Sequence, residues 1–324
     1  IDESSGLTQS LRDPQIFWTH NDSGSDPCLY AISQSGQTLA KVRLPHAVNF
    51  DWEDMASARD EAGQPNLYVT DCGDNLLARA SLQVYQIPEP TLPENADKEI
   101  LSEEPTIYHA SYPDGHHNAE TLLVHPQTRR LYIVTKTETA WSAVYAFPEK
   151  LITDAPMVLE KLCDLDFPAR AHLGKRPLDA SQTTSGAFSP DGSRVAICTY
   201  SFIHEWRIQS GESLKSALAR PAHLIEPPLL RQCEALCYGE DNQTIYLTSE
   251  HLPTPTHITV RPTRVSALLG TEFTAGQIAS LIEPIGFTCT AADGALDVVV
   301  PSWRPDCTLE IDIVEEVARH FGYG

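Results

Sequence analysis

Acidic side chains at two places in this 324-residue chain have the spacing to do chemistry. Near the carboxy end, in CTLEIDIVEEVARHF, Asp312, Glu315 and Glu316 stand at i, i+3 and i+4, which puts them on one face of a helix. Asp306 precedes that helix and is close enough in sequence to approach the same patch. Like charges so spaced weaken a helix unless a cation or a basic neighbour offsets them; the plain alternative is a solvated acidic face. The second place is spread along the chain. Ser5, Glu53, Glu120, Ser185 and Glu234 each open a short apolar run, with Asp54 beside Glu53. Nearby turns supply Asp22 from HNDSG, Asp71 from DCGDN, His117 and Asn118 from GHHNAE, and Glu250 from SEH. Carboxylates gathered in one tunnel repel each other and resist desolvation. Such a set hydrogen-bonds backbone and water, or holds a calcium-type cation through oxygen ligands. A third chemistry is hydrolysis, with paired carboxylates as acid and base or nucleophile. Residue types alone leave all three open. The HHxxE order precedes a strand, so it lacks the helical geometry that zinc motifs need.

The elements that would position these residues repeat. A polar residue, a small or polar residue and an apolar one begin each unit, at spacings of 48, 67, 65 and 49 residues. A turn follows, then a β-rich strand: IFWTH, LYVTD, LYIVT, VAICT and IYLTS. A third strand reads CLYAI, LQVYQI, AVYAF, HEWRI and HITV, and LAKVRL, PTIYH, MVLEKL and AHLIEP close most units. Four strands at this period predict a mainly β fold, a propeller of five blades. A sixth blade would need sequence upstream of Ile1. In a propeller the first strand of each blade lines the channel, so the marked polar residues converge there.

Composition narrows the partners. Asp and Glu number 44 against 23 Lys and Arg, a formal net charge of -21, which repels phosphate backbones and anionic lipid. Direct nucleic-acid or membrane binding is therefore not expected, and no apolar run approaches a membrane span. Hard cations, cationic ligands or a basic protein suit this surface. The chain begins at Ile1, which reads as a processed product or an excised piece and leaves an upstream signal peptide open. The eight cysteines form no CxxC pair with a second half, so zinc is unsupported and buried reduced thiols are expected.

After Thr256 the pattern changes. RVSALLG predicts a short helix ended by Gly270, and Thr274 with Gln277 predicts a capping box opening a second helix that Pro284 stops. FTCTAADGALDVVVP predicts a hairpin around Asp293-Gly294, and IDIVEEVARHF an amphipathic helix with Ile313, Val317 and Phe321 on its apolar face. This is a small α+β module, winged-helix-like in outline, over residues 257–324, joined to a propeller at 1–256 through PTPTHITVRP.

Residues RVSALLGTEFTAGQIASLIEPIGF and VPSWRPDCTLEIDIVEEVARHFGYG resemble the B5 domain of the phenylalanyl-tRNA synthetase beta subunit, with VPSWRPD, D-x-x-EE, VAR and FGY in the family's order. The resemblance implies a chain that does not itself aminoacylate but embraces a catalytic alpha-type subunit. It also implies that Asp306, Asp312, Glu315 and Glu316 share a magnesium ion with that subunit, and a cytoplasmic protein-biosynthesis context. Cys307 departs from the branched aliphatic residue usual at its position. The HNDSG, DWEDMA and DxGDN succession over residues 1–260 resembles bacterial β-propeller proteins and implies a fold without an activity, with a secreted origin of that part left open. Two functions follow as expectations: a non-catalytic propeller platform docked through a magnesium-sharing B5 module, or a propeller hydrolase or calcium-dependent binder using channel carboxylates. No complete active site is visible, so any enzyme role would be as a phenylalanine-tRNA ligase beta-type chain.

Overall fold

The computed structural model describes residues 1, 4–92, 99–137, 139, 141–167, 180–227, 233–249, 256–292, 294–301, 304 and 307–322. It divides into two compact units, Ile1–Pro227 with Arg231–His251, and Pro228–Leu230 with Leu252–Gly324.

The first unit is built of antiparallel sheets laid down one after another along the chain. β1 (Ser4–Gln9), β2 (Ile16–Asn21), β3 (Cys28–Ser33) and β4 (Thr38–Arg43) pair in order as the first. β5 (Trp52–Arg59), β6 (Pro65–Asp71) and β7 (Leu82–Pro88) begin the second; β8 (Glu99–Leu101) then returns to the first sheet, and β9 (Thr106–Ser111) pairs with β7. β10 (Ala119–Val124), β11 (Leu131–Thr135) and β12 (Trp141–Ala146) form the third with β14 (Glu160–Asp166), while β13 (Met157–Val158) pairs back onto β9. The fourth holds β15 (Thr183–Phe188), β16 (Arg194–Thr199), β17 (Ile203–Arg207) and, after helix α1 (Leu214–Leu218), β18 (His223–Ile225). β19 (Cys233–Tyr238) and β20 (Ile245–Ser249) are the described strands of the fifth. β8 runs parallel to β4 and β13 parallel to β9, so connections from later in the chain cover two outer edges that would otherwise present unpaired backbone. Sequence pattern did not announce β8, and it read MVLEKL as one closing strand, which the structure divides into β13 on the second sheet and β14 on the third.

Apolar side chains fill the spaces between successive sheets. Trp18, Leu29 and Val42 pack with Trp52, Leu67 and Val69 between the first and second, and Leu123, Val134 and Val144 pack with Val195 and Ile197 between the third and fourth. Leu7 and Phe17 of the first sheet meet Ala235 and Cys237 of the fifth. The first strands are neighbours in the same cyclic sense: β1 lies beside β5 and β19, β5 beside β10, β10 beside β15, and β15 beside β19.

Each first strand breaks register at its start, between Ser4 and Gly6, Trp52 and Asp54, Ala119 and Thr121, Thr183 and Ser185, and Cys233 and Ala235. The extra residues are Ser5, Glu53, Glu120, Thr184 and Glu234; bulges of this kind re-aim a side chain. The spacing predicts Ser185 as the fourth of this set, and the structure moves the position one residue back, to Thr184. The same letters, Ser-Gly, sit one step apart in the first and fourth units: Gly6 pairs with His20, where a Cβ would lie 2.5 Å from Nε2, whereas Gly186 occupies the position of Leu7.

The second unit corrects another expectation. HITV was expected as the third strand of the fifth repeat, with PTPTHITVRP as linker. β21 (Thr256–Val260) instead pairs along β23 (Ala295–Val300), which also pairs with β22 (Thr288–Ala292), giving sheet order β21-β23-β22. Its alternating apolar side chains, Ile258 and Val260, join a core of their own with Val265, Ile278, Ile282, Val298, Ile313 and Val317. Helix α2 (Pro262–Leu269) ends at Gly270 with φ of +69°, a left-handed cap that glycine adopts without penalty. Helix α3 (Ala275–Ile282) opens with the expected capping box: Thr274 Oγ1 accepts the Gln277 N–H at 3.3 Å and Gln277 Oε1 accepts the Thr274 N–H at 2.9 Å. Helix α4 (Glu310–Phe321) closes the unit, and Phe321, though half exposed, rests edge-on against Phe273. Among the described residues no helix is long and apolar enough to cross a membrane.

Candidate metal centre

Three oxygen-bearing acids come together in the first unit. Asp22 lies in the turn after β2, Asp51 in the loop entering β5, and Glu53 is the bulged residue of β5. One ligand atom from each lies within 4.8 Å of the others, and among the described residues no other group of three or more metal-capable side chains gathers this way.

The backbone around them is held by specific bonds. Asn49 donates through Nδ2 to the carbonyls of Asn21 (3.3 Å) and Asp22 (2.9 Å), and its Oδ1 accepts the Trp52 N–H at 3.1 Å. That one amide joins the turn after β2 to the start of β5. Asp71, at the end of β6, accepts the N–H groups of Phe50 (3.2 Å) and Asp51 (3.3 Å) and pairs with Arg79. Gly73 donates to the Asp51 carbonyl at 3.2 Å and presses its Cα against the acids: a Cβ there would fall 2.1 Å from Glu53 Oε1 and 2.3 Å from Asp51 Oδ2. A side chain there would displace the two carboxylates, so the acids and the DCGDN turn pack as one unit.

The nearby cations are already engaged. Both Glu120 oxygens accept from Lys136 Nζ, at 2.6 and 2.5 Å, and Nζ also donates to the Tyr200 hydroxyl at 2.6 Å. Glu120 holds the Lys136 ammonium in its charged form, raising its pKa against the effect of burial. Glu53, by contrast, is 6% exposed, and among the described residues no donor reaches its carboxylate. Burial first, then the charges of Glu120, Asp22 and Asp51, push its pKa well above the usual carboxylate value. Burial also raises Asp51, helped by Asp22.

The other expected channel residues have different places. Asp54 is fully buried and structural. Its Oδ1 accepts the Met55 N–H (2.9 Å) and Ser185 hydroxyl (3.0 Å), and its Oδ2 the N–H groups of Leu122 (2.9 Å) and Gly186 (3.2 Å). Ser185 Oγ accepts the Leu236 N–H at 3.1 Å, so one carboxylate ties β5, β10 and β15 directly and β19 at one remove. Four donors match the acceptor capacity of a carboxylate and leave nothing for a ligand. Glu234 is buried at the start of β19. Asn118 accepts the Asp74 N–H at 2.7 Å and donates to Asn75, bracing the turn after β6. His117 hydrogen-bonds Asp114 and the Tyr145 hydroxyl, each at 3.0 Å, and stacks edge-on against Tyr112, apart from the three acids. Glu250 lies outside the described residues. Sequence reasoning missed Asp51 and Lys136; the signal available was the acid before the tryptophan in DWED and the lone lysine that ends LYIVTK.

At the carboxy end, Asp306 lies outside the described residues, and the three helical acids of α4 separate. Asp312 Oδ2 accepts the N–H groups of Thr308 (2.9 Å) and Leu309 (2.8 Å), capping the helix it belongs to. Glu315 is exposed and pairs with Arg319 at 2.8 Å. Glu316 is 2% exposed and pairs with Arg304 and Arg319, each at 2.9 Å, with His320 Nε2 at 3.7 Å; the Arg304 guanidinium holds it below the usual carboxylate range.

Comparison with known proteins bears on this second unit. Residues 258–323 match the family described as the tRNA synthetase B5 domain. The phenylalanine–tRNA ligase beta subunit of Salinibacter ruber is 43% identical over 79 residues, 24% of this chain and 10% of that protein. The corresponding subunit of Pseudomonas syringae pv. syringae is 42% identical over 87 residues (26% and 11%), and that of Haemophilus influenzae (strain KW20) 36% over 89 residues (27% and 11%). The chain thus spans about a tenth of the length of these relatives. Among solved structures, one titled "Structure of U3-55K" aligns over 91% of this chain and 80% of its own, with a TM-score of 0.39 and 11% identity. The carboxy-terminal module is similar to the B5 domain of phenylalanine–tRNA ligase beta subunits.

Proposed function

We propose that this chain is a non-catalytic binding protein, a five-bladed β-propeller platform carrying a B5-type module that docks a protein partner of the synthetase alpha-subunit kind. The observation that carries the docking half is the similarity of residues 258–323 to B5 domains at 36–43% identity, in a unit that closes its own apolar core. The propeller half is supported by the cyclic neighbour order of the five first strands and their shared bulge. In the magnesium-sharing form of the docking, Glu315 and the second oxygen of Asp312 are the acids able to turn toward an ion, because Glu316 is held by two arginines. Magnesium, which keeps several waters and takes one or two carboxylates, suits that shallow pair. The context is then a phenylalanine–tRNA ligase complex in which this chain binds protein and not tRNA, since residues 261–324 carry four Arg and no Lys against nine acids.

The test is calorimetric titration of a phenylalanine–tRNA ligase alpha subunit with the full chain, in magnesium and in chelator. Association that weakens at least about tenfold in chelator or in Asp312→Asn/Glu315→Gln supports the reading. Absence of association in magnesium rejects it.

A further inference from the structure

We propose that Asp22, Asp51 and Glu53 form a calcium-type cation site at the mouth of the first strands, independent of the docking module. Three carboxylates whose oxygens lie within 4.8 Å of one another do not coexist as ions without a counter-charge. Among the described residues the cations that act on these acids are committed elsewhere, Lys136 to both oxygens of Glu120 and Arg79 to Asp71. Glu53 supplies the second observation. It is more than nine-tenths buried, its carboxylate points at the other two, and among the described residues nothing donates to it. Other buried acids among the described residues have partners: Asp54 has four donors, Glu120 pairs with Lys136 and Glu205 with Arg194. A mostly buried carboxylate that no protein group bonds is protonated, hydrated or ligated.

The donor set names the ligand class. All three side chains offer hard oxygen and none offers nitrogen or sulfur, which excludes a zinc or copper preference. Oxygens that all lie within 4.8 Å of one another fit inside the shell of an ion with metal–oxygen distances of about 2.3–2.6 Å. Asp22 and Asp51 are only partly buried, leaving access for the waters that would complete the seven or so ligands calcium takes. Gly73 packs directly against the carboxylates of Glu53 and Asp51, where a side chain would displace them.

The experiment uses the full chain stripped with chelator and titrated with terbium, whose emission is read through excitation of the neighbouring Trp52. Saturable emission displaced by calcium, reduced at least about tenfold in affinity by Glu53→Gln and by Asp51→Asn, is expected. A thermal melt separates this from a folding effect. Calcium raises the melting temperature of the natural protein and leaves Glu53→Gln unmoved, while Glu53→Gln without calcium melts no lower than the stripped natural protein, because it removes a bare buried charge. The site is overturned by an unchanged melt and no displaceable emission at about 10 mM calcium, above the range of weak extracellular sites. It is also overturned if Glu315→Gln, and not Glu53→Gln, abolishes the signal. Displacement by magnesium as readily as by calcium overturns the calcium assignment.

Discussion

Asp54→Asn isolates the bond network at the centre of the first unit. The aspartate receives four hydrogen bonds, and three of the donors are backbone N–H groups that cannot reverse their roles. An asparagine placed in the same rotamer keeps its carbonyl oxygen toward Met55 and Ser185, but turns an NH2 toward the N–H groups of Leu122 and Gly186. Two bonds to a charged acceptor are lost, each about 1.5–3 kcal/mol, and two buried donors are left facing a third. Relief from burying a charge offsets part of this, so the net loss is about 3–5 kcal/mol, the range for breaking one side of a buried ionic arrangement. Against a typical total of about 5–15 kcal/mol, that is a large fraction. The assay is urea unfolding followed by tryptophan fluorescence, since Trp18, Trp52, Trp141 and Trp206 all belong to this unit. With a slope near 3 kcal/mol/M, the midpoint falls by about 1–2 M. Ser185→Ala, which strips one hydroxyl and leaves Leu236 N–H unpaired, loses about 1–3 kcal/mol alone. The double variant then loses less than the sum, because the two residues share one network. A loss below about 1 kcal/mol for Asp54→Asn, or strict additivity, would refute the claim that this carboxylate holds the first strands together.

Two further outcomes follow. Burial pushes His20 from 6.5 down to about 4, against smaller raising effects from Asn21 and Asp22, so the folded state keeps it neutral where the unfolded chain takes a proton. Stability from this group is present above pH 6.5 and is lost as pH falls toward about 4, by about 3 kcal/mol in all; urea midpoints across that window should slope in the natural protein and flatten in His20→Gln relative to it. In the second unit, Glu316→Gln removes a buried partner of Arg304 and Arg319 and should lower that unit's calorimetric transition by about 2–4 kcal/mol, whereas Glu315→Gln, at an exposed pair, should change it by less than about 0.5 kcal/mol.

The strands of the first unit were legible because their pattern is local: LYVTD, LYIVT and VAICT carry their own β preference, and the helix caps at Thr274 and Gly270 are set by neighbours within four residues. What sequence could not carry was register and choice of partner. HITV has the alternation of a blade strand, and nothing within it says that it pairs with residues 296–299 of β23 and not with β20. Ser-Gly in the fourth unit mimics Ser-Gly in the first, one step out of phase, because the bulge is defined by hydrogen bonds across strands and not by letters. The short parallel strand β8 is too brief to have a period at all, and nothing in MVLEKL says that its first two residues pair with β9 while the rest pairs with β12.

The acids divide on the same principle. Residue type marked Glu53, Asp54, Glu120 and Glu316 alike as buried-channel or helix-face candidates, yet their chemistry is decided by what the fold brings alongside. Asp54 meets backbone donors from three strands, Glu120 meets Lys136, and Glu316 meets Arg304 and Arg319, so each buried charge has its compensation inside the chain. Glu53 meets Asp22 and Asp51 instead. The residue packed against both carboxylates is Gly73, which brings no counter-charge of its own. Among the described residues, Glu53 is thus a buried acid gathered with other acids, and its neutraliser is the one expected to come from solution.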